Sequence, residues 1–165
     1  MTRPTSKTDQ LRQVAQSKRR QLAIQKGFRS GLEEAIADDL RSRSVHYLFE
    51  EHKLKYTVPE TEHTYTPDFI IAKDRGNVAP LGANWYLDEE WAKAHIIVES
   101  KGQFTLEDRK KHLLIKAQYP HLDIRFVFTR STGKIRKGSK TTYADWCEKH
   151  GFIYADKVIP DEWFS

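Results

Sequence analysis

Apolar positions along this chain change period several times, and each change marks an element. Leu32, Ile36, Ala37 and Leu40 recur at helical spacing, and Ser30-Gly31-Leu32-Glu33 ahead of them is a capping-box pattern. A helix is therefore expected from Ser30 to about Arg43. Tyr47–Glu50 and Lys53–Val58 are rich in aromatic and β-branched residues and close at Pro59, which reads as two short strands. Thr64 to Ile71 reads as one more, with Pro67 placing it at an edge or a strand start. His95–Ser100 has the continuous apolar run of a strand covered on both faces. Thr105 opens a helix with Leu113, Leu114 and Ala117 on its apolar face, ended by Pro120. Leu122–Thr129 reads as a core strand, and Thr142 opens a last helix that stops at Gly151. The order helix, strands, strand, helix, strand, helix predicts an α/β fold, a mixed central sheet flanked by helices.

Two segments fall outside this rhythm. Residues 73–95 carry Gly76, Pro80, Gly82 and Asn84, with Trp85, Tyr86 and Trp91 among acidic residues. They read as an inserted loop or small hairpin with a short helix at Asp88–Lys93, the aromatics packing locally in preference to stacking on bases. Residues 1–27 form a basic arm with a weak helical period over 10–26. The division is thus an arm, 1–27, and a domain, 28–165, with an insertion at about 73–95.

Composition narrows the class. At 165 residues and 38% hydrophobic the chain suits one domain. Its single cysteine, Cys147, excludes an intrachain disulfide, reads as helix core and fits a reducing compartment. No apolar run approaches the roughly 20 residues that span a bilayer, and the N-terminus has no signal-peptide core. A cytoplasmic protein is expected, although an Arg-rich N-terminus also fits a mitochondrial presequence. The net charge is +5, but residues 1–30 hold eight Lys and Arg against Asp9 alone, a local +7 that leaves −2 for the rest. A basic arm on a near-neutral body suits contact with a polyanion. Candidate polyanion contacts are Lys18, Arg19, Arg20, Lys26 and Arg29 in the arm, Arg109, Lys110 and Lys111 on a helix, and Lys134, Arg136 and Lys137 in a basic loop over 130–141. A solvated tail and a solvated helix face are the plain alternatives. His63 and His112 are further possible phosphate contacts, with a structural hydrogen bond as the alternative for each.

The candidate chemistry lies in Pro67-Asp68 and Glu99-Ser100-Lys101, the pattern written PD-(D/E)xK. Alternate side chains of a strand share a face, so Glu99 and Lys101 project together and Ser100 points to the other side. If the Asp68 strand pairs with this one, two carboxylates meet beside an ammonium group. Carboxylate oxygens suit Mg²⁺, and a metal would keep both ionised where they would otherwise repel. Either motif alone is more often a turn or a surface ion pair. Here, however, an apolar strand ends abruptly in charged residues, followed by Gly102, where a ligand can approach the backbone closely. Glu33 has its own local explanation as the third residue of a capped helix.

Several stretches together resemble the phage endonuclease I family of Holliday-junction resolving enzymes. They are Phe28-Arg-Ser-Gly-Leu-Glu33, His63-Thr-Tyr-Thr-Pro-Asp-Phe69, Val98-Glu-Ser-Lys-Gly102, Asp108-Arg-Lys-Lys-His-Leu-Leu-Ile115, His121-Leu-Asp-Ile-Arg125, Lys137-Gly-Ser139, Cys147-Glu-Lys-His-Gly151 and Ala155-Asp-Lys157. The resemblance runs in order from about Phe28 to Trp163. It implies a PD-(D/E)xK nuclease fold, assembled as a domain-swapped homodimer, acting on four-way junctions and other branched DNA to leave 5′-phosphate and 3′-hydroxyl ends. It implies Glu33, Asp68, Glu99 and Lys101 as catalytic residues. Mg²⁺, with Mn²⁺ as a substitute, would be held by Glu33, Asp68, Glu99 and the Ser100 backbone carbonyl, and Glu33 would come from the partner chain. The setting implied is the cytoplasm of a phage-infected bacterium. Two departures from the family pattern stand out: residues 72–95 form a much longer connection, and no basic C-terminal extension follows Trp163, so the arm is expected to serve in its place. Other readings of the same residues are a PD-(D/E)xK endonuclease acting on duplex DNA and a non-catalytic protein that binds branched DNA.

Overall fold

The computed structural model describes residues 27–28, 30–58, 61–78 and 81–164. Its first helix, α1 (Gly31–Ser42), starts where the sequence expects. Ser30 Oγ accepts the Glu33 N–H at 3.2 Å, so the serine half of the cap forms. Ile36, Ala37 and Leu40 form its buried stripe. Strands β1 (Tyr47–Phe49) and β2 (Leu54–Val58) follow. The single strand expected over 64–71 is two, β3 (Thr61–Tyr65) and β4 (Phe69–Ala72). The division falls at Thr66-Pro67, where proline has no N–H to give a ladder.

Five strands form the central sheet in the order β1-β4-β5-β6-β7, with β5 at His95–Lys101, β6 at Ile124–Phe128 and β7 at Ile153–Asp156. The β1/β4 and β4/β5 pairs are antiparallel, and β5/β6 and β6/β7 are parallel. The parallel pairs are joined by α3 (Leu106–Gln118) and α4 (Tyr143–His150), as parallel neighbours need a crossover. Both helices begin with complete capping boxes, Thr105/Asp108 and Thr142/Asp145, and α4 ends on Gly151 at φ +66°, a left-handed cap that suits glycine. Strand β7 has no counterpart in the sequence reading. It is four residues long and leaves Ile153 exposed, so it shows no apolar alternation.

Strands β4 and β5 are buried on both faces. Ile70, Ile97 and Phe126 belong to one core with Ile115, Trp146 and Phe152, while Phe69, Ile71, Ile96, Val98 and Val127 pack with Ile36 and Leu40 of α1. The sheet therefore separates α1 from α3 and α4. The β2–β3 hairpin is a separate two-stranded sheet, and it docks on the end of α3. There the Gln118 amide both accepts the Thr57 N–H and donates to the Thr57 carbonyl.

The segment between β4 and β5 leaves and rejoins the sheet at one point, since Lys73 N–H donates to Ala94 O. It forms a 3-10 turn at Trp85–Leu87 and helix α2 (Glu89–Ala94), capped by Asp88, with no hairpin among its described residues. Trp85 and Tyr86 are buried in the core and Trp91 packs against it, so the aromatics serve local packing. Cys147 is wholly buried, as expected.

Candidate active site

One β5 register step beyond the Phe69–Val98 pair brings Asp68 opposite Glu99. The break at Pro67 matters here. Instead of continuing the ladder, the Asp68 N–H points at Glu99 Oε1, 3.4 Å away. The second oxygen, Glu99 Oε2, accepts from Lys101 Nζ at 2.7 Å, and that ammonium lies 3.9 Å from Asp68 Oδ2. Asp68 Oδ2 accepts the Ser100 N–H at 2.8 Å and the Ser100 hydroxyl at 2.9 Å. Strand alternation sets Ser100 on the opposite face of β5 from Glu99 and Lys101, yet its N–H and its hydroxyl both reach Asp68 and it lines the same cleft.

These groups line a cleft of about 410 Å³ with Glu33, Thr64, Tyr65, Thr66, Asp108 and Lys111. Glu33, Asp68 and Glu99 are 6%, 5% and 1% exposed. Burial of this order normally neutralises a carboxylate. It pushes Asp68 up to about 7, with the Glu99 charge adding to the rise and Lys101 and Ser100 opposing it. Burial also acts to raise Glu99, but Lys101, His112 and Lys111 outweigh it and hold that carboxyl well below its ordinary value. Lys101 is driven upward in turn, because Glu99 and Asp68 overcome its own burial. The lysine is a fixed cation, not a proton acceptor. Two buried carboxylates pushed apart in this way, in a cleft, mark it as a candidate active site, since buried ion pairs seldom repay their desolvation as stability.

The donor set suits a hard divalent cation, which takes carboxylate and carbonyl oxygens and keeps several waters. Among the described residues, no three Asp, Glu, His or Cys side chains gather closely enough to cage an ion by themselves. A cation here would rest on two carboxylates, with water and substrate oxygens completing the shell. The resemblance implies that Glu33 crosses from a partner. In this chain the Glu33 carboxylate lines the cleft formed by its own β4 and β5.

The basic residues divide. Lys18, Arg19, Arg20, Lys26 and Arg29 lie outside the described residues. Lys111 lines the cleft and Lys110 is exposed. Arg136 and Lys137 are exposed near the tip of the 130–141 loop, and Lys134 is exposed while donating to Lys140 O. Arg109 departs from the expected solvated face. It is buried, and its guanidinium donates to Phe104 O and Ile135 O, tying the loop to the start of α3. His63 is exposed beside Thr61, whereas His112 is fully buried, which removes it as a direct phosphate contact. Its Nε2 lies 3.4 Å from Glu99 Oε2. Tyr65, which the sequence reading did not single out, donates its hydroxyl to Glu99 Oε1 at 2.5 Å. The available signal was position: Tyr65 stands three residues before Asp68, and His112 lies in the α3 stripe with Arg109 and Ile115.

The description of the phage endonuclease I family matches residues 14–78 and 76–165, nearly the whole chain, in two segments that meet inside the 73–95 stretch. This chain belongs to the phage endonuclease I family. Endonuclease I of Escherichia phage T7 is 46% identical over 138 residues, 84% of this chain and 78% of that protein. Endodeoxyribonuclease 1 of Enterobacteria phage T3 is 43% identical over 135 residues, 82% and 75% of the two chains. Membership makes the chain a nuclease of phage type, on a mixed α/β sheet flanked by helices. Among the described residues no helix is long and apolar enough to cross a membrane.

Proposed function

We propose that the cleft is the active site of a structure-selective DNA endonuclease that cuts four-way junctions and related branched DNA with Mg²⁺ or Mn²⁺. The observation that carries this is the buried Asp68–Lys101–Glu99 arrangement at the end of β5, in a family whose named members are endonucleases. Asp68 and Glu99 would hold the cation, with Glu33 and the Ser100 carbonyl beside them. A cation so bound lowers the pKa of its water and neutralises charge on a phosphate. The Lys101 ammonium is held ionised and aimed at the same cleft, where it stabilises the charge that builds on a phosphoryl oxygen. Lys111 at the rim supplies a second positive charge to the DNA backbone. Water adds to phosphorus as the bond to the 3′ oxygen breaks, giving the 5′-phosphate and 3′-hydroxyl.

Paired cuts across a junction need two such sites, which a twofold homodimer provides. Domain swapping exchanges identical elements between protomers, so α1 docked on its own sheet occupies the place it would take on a partner's. Shared sites are therefore compatible with Glu33 in this cleft. The test is an end-labelled four-way junction beside linear duplex of the same sequence, in Mg²⁺, Ca²⁺ and EDTA. Paired cuts near the branch in Mg²⁺ alone support the reading. Equal cutting of duplex would make this a general nuclease, and tight binding with no cuts would make it a binding protein.

A further inference from the structure

Glu99 is gripped on more sides than a metal-binding carboxylate needs. Besides Lys101, three groups surround it. Tyr65 donates its hydroxyl to Oε1, the Asp68 N–H approaches the same oxygen, and His112 Nε2 faces Oε2. Tyr65 is 2% exposed and His112 is wholly buried. The two rings are in edge contact, with centroids 5.6 Å apart. His112 is wedged in turn against Phe126, 4.9 Å away, on the strand next to β5. Its Nδ1 is engaged by Asp108 O one helical turn back, which fixes the plane of the ring. Neither side chain is expected on a buried apolar face without a task. A tyrosine hydroxyl and an imidazole are costly to bury unless bonded, and Phe and Leu would fill the same space without that cost.

The structure assigns Tyr65 and His112 as positioning residues for Glu99. Tyr65 fixes the direction of Oε1 and His112 stands behind Oε2, so that the carboxylate is already oriented before a cation or DNA arrives. Neither is a catalytic residue: each acts through the Glu99 carboxylate, Tyr65 from the cleft wall by its hydrogen bond to Oε1 and His112 from behind, away from the cleft lining. The assignment rests on the nuclease reading above. Groups that orient metal ligands in this way typically contribute about 10- to 100-fold in metal affinity or activity when removed. The β2–β3 hairpin gains a purpose too. It delivers Tyr65 at the last position of β3, and Gln118 and Tyr119 of the α3 end hold that hairpin through Thr57 and Lys55.

The test is a mutant cycle on the full chain, read by Mn²⁺ calorimetry without DNA and by junction-cleavage kinetics. The variants are Y65F, E99Q, the double variant, and Y154F as control. Tyr154 also donates to a glutamate, Glu148, but away from the cleft. Y65F is expected to weaken Mn²⁺ binding and lower kcat by roughly 10- to 100-fold, with KM for the junction within about twofold and Y154F unchanged. In the E99Q background Y65F is expected to add no further loss of Mn²⁺ affinity, because coupled residues are not additive. Wild-type affinity and kcat in Y65F would overturn the assignment while leaving the nuclease reading intact. So would a Y65F deficit that persists undiminished on E99Q. A wild-type protein that neither binds Mn²⁺ nor cuts DNA would end both. Should Y65F lose its cooperative thermal transition, 3-fluorotyrosine labelling leaves the hydroxyl in place. The fluorine resonance of Tyr65 is expected to move in E99Q and on Mg²⁺ addition, and a resonance indifferent to both would overturn the assignment.

Discussion

The apolar run of strand β5 and the polar residues that follow it are both buried and do opposite work. Ile96, Ile97 and Val98 are at most 1% exposed and pack on both faces of the sheet, the ordinary use of a central strand. Glu99 and Ser100 are buried too, at 1% and 8%, and carry charge and hydrogen bonds instead. One half contributes stability through burial of apolar area. The other half spends some of it, because carboxylates removed from water must be held by Lys101, Ser100 and Tyr65. A protein under selection for stability alone would continue the apolar run.

The largest effect expected on that contrast is Glu99→Gln. It keeps the shape and removes the charge, so cleavage should fall by about 10²- to 10³-fold, the range for loss of one preorganised electrostatic group. Cutting near wild-type rate would mean the polar half is not the chemistry. Ile97→Ala, two residues earlier, should do the reverse. Truncating a fully buried isoleucine costs about 2–5 kcal/mol, read as a lowered denaturation midpoint, with little change in kcat for the folded fraction.

Asp68→Asn sharpens the same comparison through pH. The native Asp68 carboxyl sits at about 7, raised by burial and then by Glu99, whereas an unfolded Asp titrates near about 3.9. A raised native value means that the stability associated with the protonated form is present at low pH and lost as pH rises through about 7. At pH 8, in EDTA, the asparagine variant should therefore melt above wild type. The advantage should shrink as pH falls toward 4, where the native aspartic acid is already neutral. A variant less stable than wild type at pH 8 would show that Lys101 more than repays the burial of Asp68.

How far the sequence revealed these regions follows from the same physics. Helix α1 was legible because its buried stripe, Ile36, Ala37 and Leu40, is apolar at helical spacing. On α3 the apolar positions Leu113, Leu114 and Ala117 suggested the buried face, but the buried residues are Arg109, His112 and Ile115. Leu113 and Leu114 are half-buried and Ala117 is exposed. Hydrophobic patterning errs where a helix turns polar groups inward, His112 toward Glu99 and Arg109 to hold a loop. The Glu99–Lys101 pairing was legible from strand alternation, and the bond from the Ser100 hydroxyl to Asp68 was not, because alternation sets Ser100 on the other face. Strand β7 was illegible for a third reason: an edge strand of four residues, with Ile153 exposed, has no pattern to read.

Arg109→Met tests that misread face directly. It retains the aliphatic volume and leaves Phe104 O and Ile135 O without their donor. Unmet buried acceptors cost about 1–3 kcal/mol, so a loss of that size in chemical denaturation is expected, with the 130–141 loop exchanging its amide hydrogens faster. An unchanged stability would restore the solvated-face reading of Arg109.

The smallest effect belongs to the exposed side of the same loop. Arg109 is committed to the fold, but Lys137 is exposed beside Gly138, which adopts φ +77° and turns the chain back at the tip. If the loop meets DNA, it does so by charge, with no demand for a particular base. Lys137→Ala should weaken junction binding in Ca²⁺ alike for junctions of different sequence, and reduce the slope of log affinity against log salt by about 1. Arg109→Met should also weaken binding, but with a smaller change in slope, because it disturbs the loop without removing a phosphate contact. The two variants thus separate charge presented to DNA from charge used to hold the surface that presents it. Equal slopes in Lys137→Ala and wild type would move the DNA track off this loop.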